Sequence, residues 1–155
     1  MDSPHGAAMT LRLELFVEDI AASKAFYTRI LNFTAGETHG DGYTPLSNGQ
    51  VVLSLNRHAA LPADHPVRRA PYERPGRGIE LVLEVAEIDA LYAHVCAQEW
   101  PLATPLQQQP WGLRDFRLVD PDGYYLRLTS RRNSTGGTEC RAKLRSAAPP
   151  LPPSF

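Results

Sequence analysis

Cysteine is nearly absent. Cys96 and Cys140 are the only two in 155 residues, and neither sits in a CxxC or zinc-finger spacing. A disulfide framework is therefore not what holds this chain together; two reduced thiols are the simpler expectation, with a single Cys96–Cys140 bridge left open. Net charge is nearly absent too, at −1 from 16 basic and 17 acidic residues. No global field draws such a chain to DNA, RNA or anionic lipid. Long apolar runs are missing: none approaches the roughly 18 residues of a membrane span. Met1–Met9 also lacks the basic start and apolar core of a signal peptide. A cytoplasmic protein with no nucleic-acid or membrane partner is expected.

What remains is ordinary globular material, 43% hydrophobic and 21% charged, long enough for about one domain with its own core. Residues 1–10 read as a disordered leader and 131–155, with Gly136-Gly137 and a Pro149–Pro153 cluster, as a disordered tail. The interval 11–130 reads as a single domain. Leu11, Leu13, Leu15 and Val17 alternate with Arg12, Glu14, Phe16 and Glu18, the period of a half-buried strand. Asp19 can cap a helix over Ile20–Leu31, whose apolar side is Phe26, Tyr27, Ile30 and Leu31, with Asn32 as its stop. Weak strand signals follow at Ala35–Glu37 and Tyr43–Leu46, then a turn at Asn48-Gly49 into Val51–Leu55.

Arg57–Gly78 interrupts this order with Pro62, Pro66, Pro71 and Pro75 among five arginines. Prolines at that density do not enter sheet interiors, so the stretch reads as a long solvated connection, or else as a lid. Beyond it the first pattern returns. Ile79, Leu81, Leu83 and Val85 alternate with Glu80, Val82 and Glu84, and a helix follows over Glu87–Trp100. A shift of 68 positions lays Leu13-Leu15-Val17-x-Asp19-Ile20 on Leu81-Leu83-Val85-x-Glu87-Ile88. The closing segments Leu53-Ser54-Leu55 and Leu126-Arg127-Leu128 also match, each just after a glycine turn. One β-α-β-β-β unit is written twice, in modules 11–56 and 79–129 joined by the linker 57–78.

Two segments sharpen this reading. Asp19-Ile20-Ala21-Ala22-Ser23-Lys24-Ala25-Phe26-Tyr27 lies at the first strand–helix junction, and Pro110-Trp111-Gly112-Leu113-Arg114-Asp115-Phe116-Arg117-Leu118-Val119-Asp120-Pro121-Asp122-Gly123 forms the last hairpin. Both resemble the vicinal oxygen chelate superfamily, which includes glyoxalase I, bleomycin-resistance proteins and extradiol dioxygenases. The resemblance covers about Leu11–Thr129. It implies an α+β fold in which paired βαβββ modules form a curled mixed-sheet trough with the helices outside, often completed in a homodimer.

Metal-dependent members of that superfamily place His or Glu at four pseudo-symmetric strand positions, and the resemblance puts these on Arg12, Ser54, Glu80 and Arg127. Strand parity turns the same four away from the flanking leucines and valines. Such a set suits no divalent cation, because a guanidinium is always protonated and offers no lone pair. The histidines do not replace it: His5, His39, His58 and His65 map to loops or ends and His94 to a helix, with His58 and His65 read as solvated. No metal and no cofactor is expected. Arg12, Glu14, Glu80 and Arg127 are instead expected to pair among themselves, either as structural ties or with one arginine left for a ligand anion. Phe16, Trp111 and Tyr125 would supply aromatic walls. The candidate ligand-binding residues are thus Arg12, Glu14, Phe16, Ser54, Glu80, Trp111, Arg114, Tyr125 and Arg127.

Two functional classes compete. A metal-free small-molecule binder, of the kind that sequesters antibiotics or other natural products, needs only a lined site. A metal-independent isomerase, cyclase or lyase needs Glu80 as a base with Arg12 or Arg127 beside an enolate or oxyanion. An atypical metal-dependent lyase or dioxygenase is the third reading. The state of Glu80 discriminates: clamped by arginines it favours binding, and alone in an apolar wall it favours catalysis.

Overall fold

The computed structural model describes residues 8–132. The expected tail from 133 onward and residues 1–7 of the expected leader lie outside the described residues, as does Cys140; Cys96 is exposed. The described chain is two copies of βαβββ. The first runs β1 (Leu13–Val17), α1 (Ile20–Ala25), β2 (Thr34–Ala35), β3 (Thr44–Asn48) and β4 (Val51–Arg57). The second runs β5 (Leu81–Val85), α2 (Ile88–Ala97), β6 (Leu102–Gln108), β7 (Arg114–Val119) and β8 (Tyr125–Ser130). Each copy makes one four-stranded mixed sheet, ordered β1-β4-β3-β2 and β5-β8-β7-β6. The parallel pair sets equivalent registers, Leu13 opposite Leu53 in the first copy and Leu81 opposite Leu126 in the second. By contacts the chain divides into two units: residues up to Gly78 with Asp120–Tyr124, and Ile79–Val119 with the chain from Tyr125 on.

The first unit buries Leu15, Val17, Phe26, Tyr27, Ile30, Leu31, Phe33, Leu46, Leu53 and Leu55. Asp19 caps α1 as expected, its side chain accepting the Ala22 N–H. The helix does not run regularly to Leu31, however. It gives way to a π-helical turn at Phe26–Ile30, where the buried Tyr27 ring meets Phe26 and Phe33 edge-on at 4.9 and 5.7 Å. The wider turn lets Tyr27 project inward and closes with the Phe33 N–H on the Tyr27 carbonyl. Asn32 then takes a left-handed φ of 57°. Asn48 Nδ2 donates to the Leu31 and Asn32 carbonyls, tying the helix end to β3. Asn48 thus belongs to the strand, paired with Val51, and Gly49 at φ 55° is the first of the two loop residues.

The second unit buries Ile88, Val95, Phe116, Leu118, Leu126 and Leu128, with Tyr92 of α2 edge-on to Phe116 at 5.1 Å. Here α2 stops at Ala97, three residues before the expected end at Trp100. Glu99 is left-handed at φ 56°, which turns Trp100 out of the helix so that its Nε1–H donates to the Val119 carbonyl.

The 57–78 connection departs most from expectation. His58 is buried in a 3₁₀ turn, His58–Ala60. Its Nε2 accepts the Arg69 N–H at 3.1 Å and its Nδ1 faces Glu18 at 3.5 Å. Reading His58 as solvated is therefore a mistake, and the cause is tertiary: the strap folds back on the end of β1. Arg69 bonds the Phe16 carbonyl and the Glu18 carboxylate, while Arg68 donates to the Leu61 carbonyl. His65, by contrast, is only half-buried and accepts the Val67 N–H.

Candidate functional site

In the first unit the polar groups gather around the Asp120–Tyr124 turn. Asp120 Oδ1 accepts the N–H groups of Asp122, Gly123 and Tyr124, each at 2.9 Å. Its Oδ2 accepts the buried Tyr27 hydroxyl at 2.9 Å. Gly123, at φ 106°, takes the backbone conformation that only glycine adopts freely. Burial raises the Asp120 carboxyl above its ordinary range, although these hydrogen bonds pull it back. The Tyr27 phenol is raised by burial first and by the Asp120 charge second, and burial also raises Tyr124. Asp122 accepts the Glu18 N–H and the Ser23 hydroxyl and faces Arg69 at 3.4 Å. Every one of these carboxylate oxygens is engaged, so the arrangement holds structure and offers nothing to a ligand.

Of the candidates in this unit, Arg12 precedes β1 and is 61% exposed at its side chain, paired with Glu14 at 3.2 Å. Ser54 is buried, its Oγ hydrogen-bonded to the Tyr43 hydroxyl at 3.0 Å. Phe16 is half-buried, and its carbonyl accepts from the Tyr124 hydroxyl.

The second unit is different. Phe116, Leu118, Leu126 and Leu128 point to the α2 side, so Asp115, Arg117, Tyr125, Arg127 and Thr129 share the other face. Across it, Thr104 lies opposite Arg117, Arg117 opposite Arg127, and Arg127 opposite Val82. Arg117 Nε donates to Glu80 Oε1 at 3.1 Å, and its Nη1 stands 3.6 Å from Asp115 Oδ1. Arg127 Nε lies 3.9 Å from the same Glu80 oxygen, beyond hydrogen-bond reach. That nitrogen is buried without a hydrogen-bond partner among the described residues. Arg117 therefore clamps Glu80, and Arg127 carries unspent donor capacity. Trp111, 42% exposed, sits at the β6–β7 hairpin tip closed by the Gln109 N–H on the Leu113 carbonyl. Tyr125 is half-buried beside Arg127. Arg114 has the opposite parity and pairs with Asp89 of α2 at 2.9 Å, away from this face.

Of the pairs expected among Arg12, Glu14, Glu80 and Arg127, Arg12–Glu14 is made at 3.2 Å and Arg127–Glu80 only at the longer 3.9 Å, with Arg117 nearer to Glu80. Arg12 pairs with Glu14 in one unit, and Glu80 pairs with Arg117 in the other. Arg117 and Asp115 went unnoticed in the sequence, although the parity that selects Arg127 selects them too. At the four positions that the resemblance implies for a metal, the donors do not fit a divalent cation: two are guanidiniums, Ser54 is engaged with Tyr43, and Glu80 is engaged with Arg117. Among the described residues, no group of three or more His, Cys, Asp or Glu side chains comes together.

The model of the Glyoxalase/Bleomycin resistance protein/Dioxygenase superfamily matches residues 10–128. The chain belongs to that superfamily. Several solved structures share its fold. TioX from a Micromonospora species is 18% identical with a TM-score of 0.66, over 81% of this chain and all of that one. A protein of unknown function from Agrobacterium tumefaciens is 27% identical with a TM-score of 0.65, over 84% of this chain and 100% of that one. A lactoylglutathione lyase from the same organism is 17% identical with a TM-score of 0.61, over 81% and 95%. No curated protein matches the chain. Among the described residues no helix is long and apolar enough to cross a membrane.

Proposed function

We propose that this glyoxalase-superfamily chain is a metal-independent small-molecule-binding protein, acting in the cytoplasm as a homodimer without nucleic-acid partners. The observation that carries the reading is the division of labour between two arginines. Arg117 satisfies Glu80, whereas Arg127 Nε, on the same face, is buried without a hydrogen-bond partner among the described residues. A planar, neutral-to-anionic ligand of the antibiotic or natural-product kind would place an oxygen on Arg127, with Tyr125 and Trp111 as aromatic surface. TioX and the lyase are similar in fold alone and name no ligand for this chain. Base catalysis by Glu80 is disfavoured, since its carboxylate would have to give up Arg117 first. The domain is read as 11–130, with the linker 57–78 as an ordered strap of the first unit.

Isothermal titration calorimetry with aromatic carboxylates tests the reading. Replacing Arg127 by Leu should weaken anionic ligands tenfold to about a hundredfold, the worth of one charge-assisted contact. Trp111→Ala should weaken neutral and anionic ligands alike, because it removes area rather than charge. Equal affinities in all three proteins would place the binding surface elsewhere.

A further inference from the structure

Three buried side-chain polar atoms have no hydrogen-bond partner among the described residues: Thr104 Oγ1, Asp115 Oδ2 and Arg127 Nε. All three lie in the second unit. Thr104, Arg117 and Arg127 form one cross-strand row, and Asp115 is the next residue of that face along β7. With strands about 4.8 Å apart, the group spans about 10 Å.

Their chemistry is not alike. Arg127 Nε can only donate, an ionised Asp115 oxygen can only accept, and a hydroxyl such as that of Thr104 can do either. The contrast with the first unit is instructive. Asp120 is equally buried but accepts four hydrogen bonds over its two oxygens. Asp115, fully buried, has only the Gln109 Nε2–H at 2.8 Å and the more distant Arg117, both on Oδ1. A carboxylate kept solely for structure would be satisfied as Asp120 is.

Resting on the anion-binding reading of Arg127, we propose that Asp115 selects ligands that carry a hydrogen-bond donor, such as a phenol O–H or an amide N–H, beside the oxygen held by Arg127. The ligand class is therefore the hydroxyaryl or amide-bearing acid rather than the bare carboxylate. The ligand's donor meets Oδ2, the oxygen that Gln109 leaves open, once the side chains covering Asp115 part. Gln109, at the base of the hairpin tip that carries Trp111, donates to Oδ1 and so shares the charge of the carboxylate with a ligand donor on Oδ2.

The test compares 2-, 3- and 4-hydroxybenzoate, each against its methyl ether, with benzoate as reference, by calorimetry on wild type, Asp115→Asn and Gln109→Ala. In wild type at least one hydroxybenzoate should bind about tenfold more tightly than its ether. Asp115→Asn should erase that preference, read as the hydroxybenzoate-to-ether ratio within each protein so that a change in benzoate affinity does not enter, and Gln109→Ala should widen it by leaving the carboxylate a stronger acceptor. A preference absent from wild type, or surviving in Asp115→Asn, overturns the assignment of Asp115. If Asp115→Asn does not fold, a preference unmoved by Gln109→Ala overturns it instead. Benzoate binding that is lost in Arg127→Leu, with no preference for the hydroxyl, leaves the Arg127 reading standing and removes this inference alone. Failure of every probe to bind wild type removes both.

Discussion

Tyr27→Phe isolates one buried hydrogen bond with little else disturbed. The Tyr27 hydroxyl donates to Asp120 Oδ2 at 2.9 Å, and both residues are almost wholly buried. The edge-on contacts with Phe26 and Phe33 belong to the ring and survive the substitution. A hydrogen bond to a charged group contributes about 1.5–3 kcal/mol, and its loss leaves Oδ2 buried and bare. At about 2–4 °C per kcal/mol for a chain of this size, the melting temperature should fall by roughly 3–12 °C. The loss should also depend on pH. Burial already raises the Asp120 carboxyl, and the Tyr27 hydroxyl is one of the bonds opposing that rise. Without it the folded-state value climbs further. From the unfolded value up to the raised folded value, the folded state binds the proton more readily, so this group's contribution to stability falls as pH rises. The window is wider in the variant, so the cost of the substitution is greatest above it and shrinks as pH falls toward the carboxylate range near about 4. Urea unfolding of both proteins at about pH 7.5 and about pH 4.5 measures this directly. A cost below about 0.5 kcal/mol at the higher pH, or one as large at the lower, would refute the account.

Arg69→Leu should release the strap 57–78. It breaks contacts to Glu18, Asp122 and the Phe16 carbonyl and should cost about 3 kcal/mol, since Asp122 is left buried without its cation. Amide exchange should quicken in the strap and in the 120–124 turn, and unchanged protection there would contradict the network described. The purified protein should carry no stoichiometric divalent metal, and chelators should leave its melting temperature unmoved. One-to-one metal that survives dialysis would overturn the reading of Arg12 and Arg127. The edge strands β1, β2, β5 and β6 leave backbone groups that a second copy can cover, so sedimentation at micromolar concentration should give a dimer; a monomer counts against the assembly.

Much of the fold was legible because it rests on local rules. The alternation at Leu13–Val17 and Leu81–Val85, the Asp19 cap and the glycine turns each act through the backbone within a few residues. Writing them twice made the repetition of the module readable as well. The helix ends were misjudged where distant residues decide them: Asn48 holds the end of the first helical stretch and the Val119 carbonyl takes Trp100. Parity correctly separates Arg127 from Leu126 and Leu128, and applied to β7 it would also have found Asp115 and Arg117 and turned Arg114 away.

The amino-acid order by itself determined which residues share a face, and the resemblance to the superfamily implied arginine at two of four metal positions. A side chain's facing and its charge are properties of one residue and its neighbours along the strand. It could not determine which arginine takes Glu80, that His58 is buried, or that Asp120 is satisfied while Asp115 is not. Those outcomes depend on how residues far apart in sequence come together, and at Glu80 on whether an arginine nitrogen stands at 3.1 or 3.9 Å. Hydrogen bonding falls off steeply over that range, so tertiary packing alone gave Arg117 its partner and left Arg127 with donor capacity for a ligand.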